Sequence, residues 1–192
     1  MEALSAGATH IGYNYVQEAA LMYRLLGDKA QALEWHMIGH LQSNKIPRAL
    51  RIFTVFQTID SLELARELNK GAEKLGKQVP IYIEINSGDE SSKTGMALDY
   101  QILTEAVKEI AKLKYLLLKG FMTMGPNTLD AARARYYFRK TKEIFDSIQA
   151  LHIPQVTLTT LSMGMSQSYK TALEEGSTMI RLGTIVFGER NV

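Results

Sequence analysis

Two small-residue segments near the end of the chain are the ones best suited to hold an anion. Thr160-Leu161-Ser162-Met163-Gly164-Met165-Ser166 is followed fifteen residues later by Arg181-Leu182-Gly183-Thr184, and both read as turns just beyond apolar β-type runs. Backbone N–H groups approach a phosphate closely only where side chains are small, and Ser or Thr hydroxyls add donors at the same place. The pair reads as a phosphate cup. Arg181 alternates with Met179 and Gly183 on one face of an apolar strand, so its guanidinium must find an anion, an acceptor or a structural ion pair inside the fold.

The elements that would position these residues alternate along the chain. β-Type runs fall at residues 9–12, 35–39, 53–57, 81–86, 116–125, 156–161 and 179–187. Helical patterns fall between them at 15–26, 61–75, 98–113 and 131–151, with Asp60 or Ser61 capping the second. Strands followed one by one by helices imply parallel pairing with right-handed crossovers, and eight such units close a barrel. Seven strands are legible. The opening Glu2-Ala3-Leu4-Ser5-Ala6-Gly7-Ala8 reads as the last turns of a helix ending at a glycine C-cap. The expected architecture is therefore an α/β (β/α)8 barrel whose first βα unit is missing or supplied by a segment not in this chain. That leaves the strands at Thr9 and Met179 as edges flanking a gap.

Composition bounds the function. With 192 residues and 46% hydrophobic content the chain supports one well-buried core, and no linker or low-complexity tract divides it, so residues 1–192 read as a single domain. The balance of 22 basic and 20 acidic residues gives no broad footprint for nucleic acid. The lack of cysteine excludes disulfides, thiolate metal sites and a cysteine nucleophile, and fits a cytoplasmic setting. No basic-then-apolar leader opens the sequence, and no apolar run approaches the roughly 18 residues needed to span a bilayer.

In a parallel βα barrel the working residues lie just after each strand. Here those are Gly12 to Tyr15, Gly39 to Lys45, Asn86 to Asp89, Met122 to Gly125, Ser162 to Ser166, and Gly183-Thr184. Amides, hydroxyls and methionines dominate, which suits a planar phosphorylated ligand better than a metal, and His36 and His40 stand alone. His36 reads as a core-facing or capping histidine. Met122, Met124, Met163 and Met165 read as adaptable core or as ligand contacts. Asp89 to Lys93 reads as a solvated loop.

Gly12 to Glu18, Trp35 to Lys45, Ile85 to Gly88 with Lys93-Thr94-Gly95, Gly120 to Gly125, and Leu161 to Gly188 together closely resemble the pyridoxal-phosphate homeostasis protein family. The resemblance runs through nearly the whole chain. It implies a barrel of the alanine racemase N-terminal type with a pyridoxal 5′-phosphate site and without the second domain of the racemases. By position it implies that Ser162, Gly164, Met165 and Ser166, with Gly183 and Thr184, hold the phosphate. Arg181 would face the pyridine nitrogen, and Asn14, Ile38 and His40 would line the ring. An arginine there cannot leave a proton on that nitrogen, which weakens the ring as an electron sink.

Two departures from the family pattern matter. Its Schiff-base lysine lies on the first strand, in a segment like Val-Ser-Lys, and no residue of this sequence takes that role; Lys45 and Lys119 are poorly placed for it. Tyr13 stands where the family usually has Glu, so it would reshape access to the site, mark an engineered pocket, or reflect ordinary drift. The expectation is a cofactor-binding protein of vitamin B6 homeostasis with little or no catalysis. The alternatives are a racemase-like enzyme of the same fold type and an engineered barrel derived from this family. The chain would be a monomer or weak homo-oligomer, without nucleic-acid or membrane partners.

Overall fold

Strands and helices alternate in the order α1 (Glu2–Ser5), β1 (His10–Tyr13), α2 (Val16–Leu26), β2 (Glu34–Met37), α3 (Ile46–Ala49), β3 (Val55–Ile59), α4 (Leu62–Lys74), β4 (Val79–Asn86), β5 (Met96–Ala97), α5 (Tyr100–Ala111), β6 (Leu116–Thr123), α6 (Ala131–Gln149), β7 (Thr160–Met165), α7 (Tyr169–Glu174), β8 (Met179–Arg181) and α8 (Thr184–Phe187). This computed structural model describes residues 2–88, 94–125 and 130–188. The expected solvated loop at Asp89 to Lys93 and the turn at Pro126-Asn127 lie outside the described residues.

Every strand pairing is parallel, in the order β1-β2-β3-β4-β6-β7-β8, with the two-residue β5 added to β4. The sheet is a nearly closed barrel of seven strands. Among the described residues β1 and β8 each pair on one side only, as the count of seven anticipates. Helix ends follow their local chemistry. Gly7, at φ +90°, closes α1 with Ala8 N–H donating to the Ala3 carbonyl and Gly7 N–H to the Leu4 carbonyl. Ser61 Oγ accepts from Leu64 N–H at the start of α4, while Asp99 and Asp130 cap α5 and α6 in the same way.

The two faces of the sheet have different cores. Between sheet and helices lies the larger one, which includes Trp35, Phe53, Phe56, Phe121 and Phe138, all essentially inaccessible. A smaller cluster of Val55, Tyr82 and Met122, joined by Met124 and Met179, fills the other face. β1 and β2 show the alternation: Ile11, Tyr13, Trp35 and Met37 belong to the larger core, leaving His10, Gly12, Glu34 and His36 on the barrel side.

Two strand boundaries differ from the expected ones, and both changes affect the cup. β7 begins at Thr160 rather than Val156. Thr157 and Thr159 N–H still reach the Leu118 and Lys119 carbonyls, but β6 shifts register near Lys119, and the regular ladder resumes only at Gly120 opposite Thr160. Ser162 and Gly164 therefore lie within β7, not in a turn beyond it. β8 stops at Arg181, and the expected strand through Phe187 is instead the helical turn α8. The β-branched Ile185-Val186 pair is overridden there because Gly183 N–H and Ile185 N–H both find Ser166 Oγ.

Among the described residues no helix is long and apolar enough to cross a membrane.

Candidate functional site

Arg181 ends β8 and turns its guanidinium back across two neighbouring strands. One terminal nitrogen donates to the Ser162 carbonyl at 3.0 Å and to Ser162 Oγ at 2.7 Å; the other donates to the Thr123 carbonyl at 2.8 Å. Met124 Sδ, at 3.5 Å, completes the cradle. Arg181 thus ties together the C-terminal ends of β6, β7 and β8. Burial pulls its pKa down to about 10, with Glu84 partly offsetting the loss, so it keeps its charge at neutral pH.

Ser162 is fully buried, and its hydroxyl donates to Gln57 Oε1 at 2.7 Å while accepting from Arg181. It stands apart from the other cup residues and serves to hold Arg181. Ser166 is the residue at the mouth. Its Oγ accepts from Gly183 N–H and Ile185 N–H, each at 3.3 Å, and these are the amides that open α8. Nothing within 4 Å would obstruct a Cβ at Gly183. Gly164 shapes the approach in another way: its φ is +95°, and a Cβ there would meet Ala172 Cβ at 2.5 Å. Glycine at 164 therefore lets α7 pack directly on β7, and Arg135 and Arg139 of α6 fix the far end of α7 through Glu175. Met165, 37% exposed, faces Arg181 across the β7–β8 ladder.

The loops after β1 and β2 meet each other. Gly39 passes so close to Asn14 that a Cβ would fall 2.3 Å from the Asn14 carbonyl oxygen, and Ile38 packs on the open face of Gly12. Exposed His40 reaches Asp60 with Nδ1 to Oδ2 at 3.2 Å. Tyr13 does not guard the mouth, which sets aside one of the three readings open to it, that it reshapes access. It stacks on Trp35 with ring centroids 5.8 Å apart and planes 16° apart, on the helix-facing side of β1. Strand alternation sends residue 13 outward while Gly12 faces in.

Sequence reading missed Glu84. It sits in the β-branched run of β4 and is 6% exposed. Its Oε1 accepts from Thr94 at 3.0 Å, and its buried Oε2 has no hydrogen-bond partner among the described residues. Burial raises its pKa; Asp60 pushes the same way, while the Thr94 hydrogen bond, His40 and Arg181 push back. The only signal in sequence was one acidic residue at an inward position of a β-branched strand.

A raised carboxyl pKa fixes the sign of its effect on stability. The folded state holds the proton more tightly than the unfolded chain, so ionisation costs nothing below the unfolded value of about 4.3. The cost grows as pH rises through the raised folded value, and is complete above it. Glu84→Gln is expected to raise the melting temperature at neutral pH by about 2–4 °C for each kcal/mol recovered. The gain shrinks toward pH 4, as thermal unfolding of both proteins across that range would record.

His36 does not stand alone, as the sequence reading had it. Parallel register sets His10 opposite Glu34 and Gly12 opposite His36, so two histidines and a carboxylate gather at the N-terminal ends of β1 and β2. His36 is buried, and Gln57 holds its Nδ1 at 2.8 Å. Burial lowers its pKa, with Glu34 opposing the shift.

The residues present fit pyridoxal 5′-phosphate. Two amides already converge on an oxygen at the cup, a place where a phosphate oxygen is a stronger acceptor than a neutral hydroxyl. A fixed arginine stands next to them.

Comparison with known proteins agrees. The family model for the alanine racemase N-terminal domain matches residues 1–191. The pyridoxal phosphate homeostasis protein of Haemophilus influenzae is 38% identical over 191 residues, covering 100% of this chain and 79% of that protein. The one from Pasteurella multocida is 36% identical over 190 residues, covering 99% and 80%. PipY of Synechococcus elongatus, solved with pyridoxal phosphate bound, has a TM-score of 0.86 and 34% identity, covering 97% of this chain and 85% of PipY. Alanine racemase of Clostridium difficile shares the fold at a TM-score of 0.77 and 17% identity, over 99% of this chain and 46% of the racemase. With a domain model matched end to end and relatives above one third identity along its length, the chain belongs to the pyridoxal phosphate homeostasis proteins, built on the alanine racemase N-terminal barrel.

Proposed function

We propose that this chain, acting as one barrel domain over residues 1–192, binds pyridoxal 5′-phosphate non-covalently in vitamin B6 homeostasis, with little or no catalysis of its own. The observation that carries this reading is the convergence of Gly183 N–H and Ile185 N–H on Ser166 Oγ, beside the Arg181 fork. Gly164, Met165, Ser166, Gly183 and Thr184 form the phosphate cup, and Ser162 holds Arg181 in place. Arg181 meets the ring nitrogen with a donor-only group, which keeps that nitrogen unprotonated. Asn14, Ile38 and His40 border the ring.

The cofactor brings an aldehyde and an electron-withdrawing ring, and an unprotonated ring nitrogen blunts the second of these. No lysine is among the cup residues. PipY, on the same fold at 34% identity, was solved with pyridoxal phosphate bound, which supports the assignment. The setting proposed is cytoplasmic. The chain acts as a monomer or self-associates weakly through the edges of β1 and β8 that are unpaired among the described residues, without nucleic-acid or membrane partners.

One observation favours a second reading. Glu84 is a buried carboxyl with a raised pKa close enough to Arg181 to feel its charge, the kind of group that exchanges protons with a substrate. Amino-acid turnover by the purified chain that disappears in Glu84→Gln would favour an enzyme. On the leading reading, saturating cofactor at a hundred times its dissociation constant is expected to add about 2.7 kcal/mol of stability. Borohydride treatment of the complex should leave no cofactor on any lysine of residues 1–192. A reduced adduct on one of them contradicts the non-covalent assignment.

A further inference from the structure

We propose that His10, Glu34 and His36 form a binding site for a divalent transition-metal ion at the N-terminal end of the sheet, opposite the end that carries the phosphate cup. Glu34 Oε1 lies 2.8 Å from His36 Nε2 and 3.5 Å from His10 Nε2, and one ligand atom from each residue falls within 4.8 Å of the other two. Two imidazoles and a carboxylate are the donor set of a three-ligand zinc site with an open fourth position, and they also suit cobalt, nickel and copper. The chain has no cysteine to compete for the ion.

Three features separate this cluster from a chance surface grouping. Backbone register supplies the first: His10 and Glu34 are direct partners in the β1–β2 ladder, and His36 follows two residues along the same face of β2. The second is the state of His36 Nε2. That atom is buried, and its one close polar neighbour among the described residues is Glu34 Oε1 at 2.8 Å, with no geometrically formed hydrogen bond between them. A buried ring nitrogen that shares this space with a carboxylate oxygen and a second imidazole is presented as a ligand would be.

The third feature is support from behind. Gln57 holds His36 Nδ1 at 2.8 Å, and Ser162 holds Gln57 in turn, so the imidazole is oriented before any ion arrives. Ligand bonds of about 2.0–2.2 Å require the donors to draw closer together than the widest pair now stands. His10 and Glu34 have side chains 56% and 44% exposed, which leaves them room to adjust, while Thr9 Oγ1 meets His10 Nδ1 at 2.8 Å and leaves its Nε2 for the ion. His36 is the fixed post.

An ion on Nε2 leaves Nδ1 carrying the proton, so Gln57 must then present its oxygen to His36 and its amide N–H groups to Ser162. The site is therefore linked to Arg181 through Gln57 and Ser162.

Cobalt(II) titration of the untagged chain, followed by the visible absorption of the bound ion and by zinc displacement in a calorimeter, tests the site. One cobalt per chain is expected. His10→Ala and Glu34→Gln alter exposed side chains, so folding is retained and circular dichroism confirms it. Each is expected to weaken binding at least about tenfold, the lower bound for losing even an outer-shell group. His152→Ala, outside the cluster, should bind as the parent does. Absence of cobalt binding to the parent chain overturns the proposal. So does a loss of less than about tenfold in both His10→Ala and Glu34→Gln, or an equal loss in His152→Ala.

Discussion

Arg181→Ala is expected to cost about 3 kcal/mol of stability without any ligand: each hydrogen bond from a charged donor contributes roughly 1.5–3 kcal/mol, and relief of the buried charge's desolvation offsets part of the three that are lost. For a chain of this size that is a fall in melting temperature of about 6–12 °C. The substitution strips the donors from the Ser162 and Thr123 carbonyls and from Ser162 Oγ, and so unties the ends of β6, β7 and β8. Arg181→Lys should fall in between, since an ammonium cannot span both strands with a planar fork. Calorimetric unfolding of the three proteins gives the order. An unchanged melting temperature in Arg181→Ala would mean that the fork is not structural. Cofactor affinity should fall with it, by at least about tenfold if the ring-facing contact is worth 1.4 kcal/mol.

Gly164→Ala tests the other wall of the cup and is expected to be of similar size. A side chain at φ +95° is strained in any surroundings, and its Cβ would sit 2.5 Å from Ala172 Cβ and 3.1 Å from Tyr169 Cα. Left-handed backbone costs an L-residue about 1–2 kcal/mol, and forcing a methyl into a packed contact adds about 1–3 kcal/mol. The total is about 3 kcal/mol, or roughly 6–12 °C in melting temperature. Gly183→Ala is the informative partner. Its backbone is not left-handed and nothing lies within 4 Å of the added atom, so stability should stay within about 0.5 kcal/mol. Cofactor binding should nonetheless weaken, because the methyl intrudes where the phosphate docks. If Gly183→Ala binds as tightly as the parent chain, the cup has been placed on the wrong turn.

Much of the barrel was legible because its elements obey local rules. Gly7 ends one helix and Ser61 starts another by backbone and hydroxyl chemistry that reads directly from residue type, and the β4 run announced itself by β-branching. Where reading failed, the deciding contact was distant in sequence. The end of β8 depends on Ser166 reaching Gly183 and Ile185, and nothing in Ile185-Val186-Phe187 signals a helical turn. β7 starts late because of a register shift in β6, some forty residues earlier.

The site divides in the same way. Arg181 was readable as a buried cation that needs acceptors, and the structure supplies the Ser162 and Thr123 carbonyls. Ser162 looked like a phosphate ligand because it shares a short segment with Ser166, yet it lies four residues earlier along β7, where Arg181 and Gln57 take up its hydroxyl. Strand alternation decides Tyr13, whose role the sequence left open, by turning it onto Trp35. Glu84 and the His10–Glu34–His36 group went unseen because their meaning depends on which residues face them across the sheet.

Equilibrium titration of the purified chain with pyridoxal 5′-phosphate, set beside pyridoxal lacking the phosphate, tests the central claim most directly. Saturable binding of one cofactor per chain, competed by inorganic phosphate and at least about a hundredfold weaker for pyridoxal, is the predicted result; that ratio corresponds to roughly 2.7 kcal/mol held by the cup. Equal affinity for the two compounds, or no saturable binding of the phosphorylated one, would contradict the account.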